Sequence, residues 1–428
     1  MGLIRALFLL VPLAVVGTLF TYVWWRMVRG PFRSRRVRVS GGVLIVALSA
    51  CVPVGLRHAV GGPTWLLVLS WIGLLWAAVF FYLLLTLVIL EPFRLAASLL
   101  WARRSASVSA TSAVELYAVR RTTVGGRDVP PPTDGSEPEV NPTSPAVGGL
   151  DRRAFLAKAT ALTAGVAALG TVGYGVAAAR SVNVKRVSIA LKTLDPRLNG
   201  FRIAVLADVH LSETLRRPFL RRVVNTVNDL DVDAVAIVGD LVSGTVDDLG
   251  GDARELTNLR SAQGTYFVTG NHEWYYGAQE WIDYLPTLGV RVLRNERVEI
   301  AANGAAFDLA GVDDLSAEDW GVGYGPNLDA ALAGRDADRP VILLAHQPAE
   351  WPDAVKYDVD LQLSGHTHGG QMWPYGYVVR REQPVLAGLA TKGSSQIYVS
   401  RGVGYRGPPV RVGAPPEISL VELGSRTP

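Results

Sequence analysis

A single cysteine, Cys51, in 428 residues excludes an intramolecular disulfide and any thiolate metal cluster. It stands in an apolar run and reads as an inert buried thiol. No internal repeat of fixed period is visible, so a solenoid or propeller array is not expected. Positive charge is missing where a polyanion would need it. Residues 181–428 carry 24 Lys/Arg against 31 Asp/Glu, a net of −7, whereas residues 1–180 carry 18 against 7, a net of +11. The pI of about 9.2 therefore belongs to arginines flanking apolar segments. With no basic stripe interleaved with aromatics, nucleic acid is not an expected partner.

Long apolar runs, by contrast, are plentiful. Residues 3–25, 41–60 and 64–90 are each nearly free of charge and long enough to cross a hydrocarbon core of about 30 Å. They read as three transmembrane helices of a membrane domain, residues 1–104, the second interrupted by Pro53, Arg57 and His58. Trp24, Trp25 and Trp65 fit interfacial anchors. Arg26, Arg29, Arg33, Arg35, Arg36 and Arg38 crowd the first loop, and Arg94, Arg103, Arg104, Arg120 and Arg121 follow the third helix. Both regions are then cytoplasmic, with the N-terminus outside. Residues 105–150 are a cytoplasmic segment and linker centred on VPPPTDGSEPEVNPTSP, too rich in Pro, Gly, Ser and acids to form a core. Residues 151–180 have two readings, a twin-arginine-like signal anchor or a fourth transmembrane helix flanked by Arg152 and Arg153. Ala177 to Ala179 also satisfies an A-x-A cleavage pattern. Either reading puts the domain of residues 181–428 on the outer face.

From Ser181 the apolar runs shorten. Five of the six histidines lie beyond residue 200, each just after a run that reads as a buried strand. Asp208 and His210 follow Ile203 to Ala207 as ADVH; Asp240 follows Ala234 to Val238 as VGD; Asn271 and His272 follow Tyr266 to Thr269 as GNHE; His346 follows Val341 to Ala345. The last pair, His366 and His368, stands in GHTHGG after Leu361 to Leu363. Read as extended chain, the i, i+2 spacing lets both imidazoles face one point, and the glycines let the backbone turn close to it. A lone histidine after a strand is ordinarily a packing or surface residue. Five of them with two aspartates and an asparagine, delivered to the carboxyl ends of parallel strands, make a metal centre. Val182 to Leu191 alternates as an antiparallel strand; Arg217 to Leu230, Asp252 to Ala262 and Gly277 to Leu285 read as helices; Ile397 to Ser400 and Ile418 to Leu423 read as strands.

These five motifs, DVH, GD, GNHE, the histidine of AHQP and GHTHGGQ, resemble in kind and order those of the calcineurin-like metallophosphoesterases, and in particular their membrane-anchored bacterial branch. The resemblance covers about residues 200–425. It implies an α/β fold, a four-layer αββα sandwich of two mixed sheets flanked by helices. It further implies two divalent metal ions, the first held by Asp208, His210, Asp240 and His368, the second by Asp240, Asn271, His346 and His366. Oxygen and nitrogen ligands without thiolate suit Mn, Fe or Zn. Two cations sharing Asp240 would lower the pKa of a bridging water and supply hydroxide for in-line attack on phosphorus. His272, with Asn271 beside it, would face the substrate and assist the leaving oxygen, a role that suits a pKa near neutrality. Glu273 is expected to cap the following helix. Trp274, Tyr275 and Tyr276 read as core packing before cleft walls, and Arg401 reads equally as a phosphate contact or as solvated, so none joins the expected site. The closing RGVGYRGPPVRVGAPPEISLVEL supplies no expected ligand.

The expected function is therefore a membrane-anchored phosphoesterase of the bacterial cell membrane, acting on phosphate mono- or diesters of a small-molecule or lipid-linked substrate. Rival readings are a catalytically silent receptor or scaffold and a pyrophosphatase acting on nucleotide-linked or lipid-linked envelope precursors. A metal-dependent amidohydrolase resembles a barrel with its HxH pair early, whereas here that pair comes last. A degenerate receptor should have lost ligands, and every expected ligand is present.

Overall fold

The computed structural model describes residues 14–57, 63–122, 152–321 and 324–425. The start of the expected helix 3–25 and most of the linker lie outside them. Among the described residues three helices are long and apolar enough to cross a membrane, Arg35–Leu56, Thr64–Trp101 and Arg153–Arg180. The helix begun at Thr64 continues to Thr122, well past the expected end at residue 90, with Pro92 inside it. The chain divides into two units, residues 1–48 with 79–170 and residues 49–78 with 171–428. In the first unit Arg26 and Arg94 both pair with Glu91, so the acid within the long apolar helix has its countercharges.

The second unit contains twelve strands: β1 (Asn183–Leu191), β2 (Arg202–Leu206), β3 (Ala234–Val238), β4 (Thr265–Val268), β5 (Val290–Val292), β6 (Glu296–Ala302), β7 (Ala305–Gly311), β8 (Val341–Leu344), β9 (Leu361–Ser364), β10 (Gly388–Lys392), β11 (Ser395–Val399) and β12 (Glu417–Ser425). They form two mixed six-stranded sheets, ordered β1-β12-β2-β3-β4-β5 and β10-β11-β9-β8-β7-β6. The inner faces meet in one core: Ile203, Val205, Ala236 and Val238 of the first sheet pack with Phe307, Leu309, Ile342, Leu344 and Leu363 of the second. The outer face of the first sheet is covered by the helix Arg217–Asn228, through Phe219, Leu220, Val223, Val224 and Val227, and by Trp281. The other sheet is covered on its outer face by Trp351, Ala354 and Leu332. Helix, sheet, sheet, helix is the expected αββα order. Strands buried on both faces explain the uninterrupted apolar runs such as AVAIV of β3.

Two expectations fail locally. β1 is not antiparallel to its neighbour but parallel to β12, which enters between β1 and β2 and runs antiparallel to β2; alternation in an edge strand reports one exposed face and not direction. The helix expected at Asp252 to Ala262 is instead Val246–Ala253 followed by a 3-10 turn, Arg254–Asn258. Thr245 starts it, accepting the Asp248 N–H, with Asp247 and Asp248 in the positive first turn.

Phe307 is fully buried between the sheets, with its ring 5.2 Å from that of Phe201 and nearly perpendicular to it. Phe307→Ala should lower stability by about 3–5 kcal/mol, read as a lower denaturant midpoint of the full chain with unchanged slope. An unchanged midpoint would contradict this packing.

Candidate metal centre

The candidate residues all follow the carboxyl ends of parallel strands: β2, β3 and β4 in one sheet, β8 and β9 in the other. Within two to four residues of each strand end the chain turns sharply. Asp208, His210, Asp240, His366 and His368 all have left-handed backbone, with φ of 51°, 49°, 51°, 69° and 51°. Each non-glycine residue in that region costs about 1 kcal/mol or more, and five side chains are thereby aimed inward. Glycines make room: a Cβ on Gly365 would lie 2.5 Å from Asp208 Oδ2, and one on Gly270 would strike Asp240.

The inward atoms form two clusters, Asp208–His210–His368 and Asp240–His346–His366, and a third grouping, His210–Asp240–His272, shares one residue with each. In the first, Nε2 of His210 and Nε2 of His368 are 3.0 Å apart, and His368 Nε2 is 3.5 Å from Asp208 Oδ1. In the second, His346 Nε2 lies 3.3 Å from His366 Nδ1, which is 2.9 Å from Asn271 Oδ1. Asp240 Oδ2 joins them, at 3.6 Å from His210 Nε2 and 3.4 Å from His346 Nε2. The expectation that His366 and His368 face one point does not hold. The chain past Ser364 is a turn and not extended, so His366 serves one cluster and His368 the other.

Contacts behind the rings fix them. His346 Nδ1 donates to the Val238 carbonyl at 2.8 Å, which turns Nε2 toward the cluster. The His366 backbone N–H donates to both Asp208 carboxylate oxygens, at 3.0 and 3.1 Å. Ser243 Oγ sits 3.0 Å from His210 Nδ1 and 2.9 Å from His272 Nδ1. Glu273, fully buried, accepts the backbone N–H groups of Gly270 at 2.7 Å, Asp240 at 2.9 Å and Val242 at 3.1 Å. It caps its own short helix, as expected of a cap, and also ties the β3 loop to the β4 loop.

Burial sets the proton affinities. Desolvation, with the neighbouring Asp240 charge, pushes Asp208 up to about 7 and Glu273 up to about 8. Burial likewise opposes charge on His346, yet Asp240, Asp208 and Asp314 together hold it protonated well above the usual histidine range. His272 is driven down to about 4, first by burial and then by the positive Arg406 and His346. The near-neutral value expected for it is thus corrected by its environment. Its Nε2 is buried without a hydrogen-bond partner, an orphan pointing to a ligand group.

Two residues carried no signal in the sequence. Ser243 belongs to no motif, and Arg411 lies in the closing segment that supplied no expected ligand. Arg411 is buried at 1% exposure; its guanidinium is 3.0 Å from His368 Nδ1 and donates to the His368 and Arg401 carbonyls at 2.8 Å each. Arg401 itself pairs with Glu417 at 3.3 Å. The aromatics divide: Trp274 packs against Ala278 and Ala317, Tyr275 is exposed, and Tyr276 stands beside His272.

The calcineurin-like phosphoesterase family model matches residues 201–370, the stretch holding every candidate ligand. Over 295 residues the chain is 31% identical to the "Uncharacterized metallophosphoesterase YkuE" of Bacillus subtilis, covering 64% of this chain and 98% of that protein. The chain belongs to the calcineurin-like phosphoesterases. It is also 39% identical over 289 residues to the bovine "Transmembrane protein with metallophosphoesterase domain", covering 65% of each chain. An "Uncharacterized metallophosphoesterase" of Helicobacter pylori strain J99 is 39% identical over 242 residues, covering 56% of this chain and 63% of that protein. The chain thus spans just under two thirds of the length of these last two relatives. An animal relative of this kind means that the resemblance is not confined to a bacterial branch of the phosphoesterases.

Because Glu273 satisfies three buried N–H groups, Glu273→Ala should cost roughly 3 kcal/mol or more and loosen the two loops it joins. Denaturation midpoints and bound metal per chain should both fall. Full metal content at wild-type stability would contradict the role.

Proposed function

We propose that this calcineurin-like phosphoesterase is a membrane-attached, metal-dependent hydrolase of phosphate mono- or diesters. The observation that carries the reading is the Asp240 carboxylate, with one oxygen turned to both nitrogen clusters at 3.6 and 3.4 Å. Lone pairs only 3.0 Å apart on His210 and His368 repel unless a cation or proton lies between them, and the oxygen and nitrogen donors suit Mn, Fe or Zn. Asp208, His210, Asp240 and His368 hold one ion in this proposal, and Asp240, Asn271, His346 and His366 a second. Such ions, when bound, act as Lewis acids toward phosphoryl oxygens and lower the pKa of water.

The remaining chemistry belongs to the chain. With His210 ligating through Nε2, its Nδ1 keeps the proton and donates to Ser243 Oγ. The Ser243 hydroxyl then donates to His272 Nδ1, which leaves the proton on His272 Nε2. That unpartnered Nε2–H can hydrogen-bond the departing ester oxygen as a neutral donor, so its depressed pKa does not disable it. The helix Arg152–Arg180 serves as anchor in this reading, with the domain of residues 181–428 on the outer face. The acidic balance of that domain favours small or lipid-linked phosphate esters over nucleic acid.

The full chain loaded with Mn2+, Fe2+ or Zn2+ should hydrolyse p-nitrophenyl phosphate or bis-p-nitrophenyl phosphate. Asp240→Asn should lose bound metal and activity. His272→Ala should keep its metal while kcat falls about 10²–10⁴-fold, and Ser243→Ala should keep its metal and lose roughly tenfold. A fully loaded protein that cleaves neither ester sinks the proposal.

Metal uptake should also follow pH. Asp208, raised to about 7, and His346, raised well above the usual histidine range, hold protons in the metal-free protein near neutral pH. Binding must release them, so affinity rises as pH climbs through 7 and falls below it. Calorimetric heats should differ between buffers of high and low ionisation enthalpy; equal heats would refute the proton displacement.

A further inference from the structure

Beside His272 lies a cavity of about 230 Å3. One wall comes from the phosphoesterase domain, including His272, Tyr276 and Arg406; the other comes from Leu56, Ser70 and Leu74. Leu56 lies in the apolar helix Arg35–Leu56, and Ser70 and Leu74 lie in Thr64–Trp101, both long enough to span a bilayer. The cavity wall facing the reactive histidine is therefore built from membrane-crossing segments. Its volume is below the roughly 300–1,000 Å3 of sites that enclose a drug-sized ligand. It has room for a phosphate and its first few carbons, and the rest of a larger substrate must leave the cavity.

Among the polar residues of the lining, which also include the acid Glu213, Arg406 and His272 suit an anion. Arg406 is exposed and belongs to no ion pair among the described residues, unlike Arg401, which is paired with Glu417. His272 presents its unpartnered Nε2, and the Tyr276 ring lies 5.9 Å from the imidazole. A cation and an unpaired donor lining the same cavity as two leucines match an amphiphile.

Resting on the phosphoesterase reading above, we propose that the substrate is a phosphate ester of a bilayer-resident amphiphile. Its phosphate lies between Arg406 and His272, and its apolar tail leaves along Leu56 and Leu74. The reaction is hydrolysis: an oxygen of water bonds to phosphorus, the bond from phosphorus to the lipid-side oxygen breaks, and that oxygen leaves with a proton as the alcohol.

The test uses the full chain in detergent, loaded with Mn2+. Two matched pairs serve as probes: 1-oleoyl lysophosphatidic acid against glycerol 3-phosphate for monoesters, and 1-oleoyl lysophosphatidylglycerol against glycerophosphoglycerol for diesters. In at least one pair the acylated member should have the higher kcat/KM by roughly tenfold or more, the gain from burying two or three methylenes. Leu56→Asp should collapse that ratio, and Arg406→Ala should raise KM for both members about tenfold, with Arg406→Lys restoring part of it. Leu56 is 61% exposed and Arg406 is on the surface, so neither change threatens the core. Equilibrium binding of dodecylphosphonate against methylphosphonate should follow the same order in the same proteins. A ratio near one, or a ratio untouched by Leu56→Asp, overturns the lipid inference while hydrolysis of p-nitrophenyl esters leaves the phosphoesterase reading standing. Loss of all ester hydrolysis from the metal-loaded protein overturns both.

Discussion

The carboxylate of Asp240 is the constraint on which the rest of the centre depends. A buried carboxylate is tenable only with countercharge and hydrogen bonds, and this residue is held by four neighbours, three of them at the carboxylate. Oδ1 accepts the His272 backbone N–H at 2.8 Å, Oδ2 faces His210 and His346, and its own backbone N–H is held by Glu273. Although burial opposes ionisation, the neighbouring histidines keep its proton affinity well below the usual carboxylate range. Because those partners come from loops of both sheets, satisfying one charge also fixes the edge at which the sheets meet.

Much of this was legible in the sequence because parallel strands buried on both faces leave continuous apolar runs. The ends of β2, β3, β4, β8 and β9 fell within a residue or so of the runs that mark them, and the residues just beyond are those the fold gathers. The direction of β1 was not legible, since alternation describes a face and not a partner. The divergence of His366 and His368 was implied by the motif resemblance and not by their spacing, because spacing implies a common direction only in extended chain and both residues adopt positive φ. Ser243 and Arg411 left no trace for a different reason. Each contributes one or two atoms to a ring supplied by another loop, and no local pattern encodes such a contact.

Environment also changes what a residue type can do. Histidine was expected to titrate near neutrality, but burial and nearby positive charge hold His272 far below that range. The site therefore depends on which nitrogen carries the proton more than on whether the ring is charged. Ser243 makes the two questions one, since its single hydroxyl proton can point to only one of its two histidine neighbours.

The position of β12 in the first sheet has a consequence for biogenesis. Residues 417–425 form hydrogen bonds with both β1 and β2, so an inner strand of that sheet is supplied by the strand of the domain that comes last in chain order. Until residue 425 has left the ribosome, β1 has no partner strand and the face of β2 beside it is open. The order of translation thus keeps the domain incomplete until β12 is made, and a premature stop ten residues short of Ser425 would remove an inner strand and leave β1 without its partner.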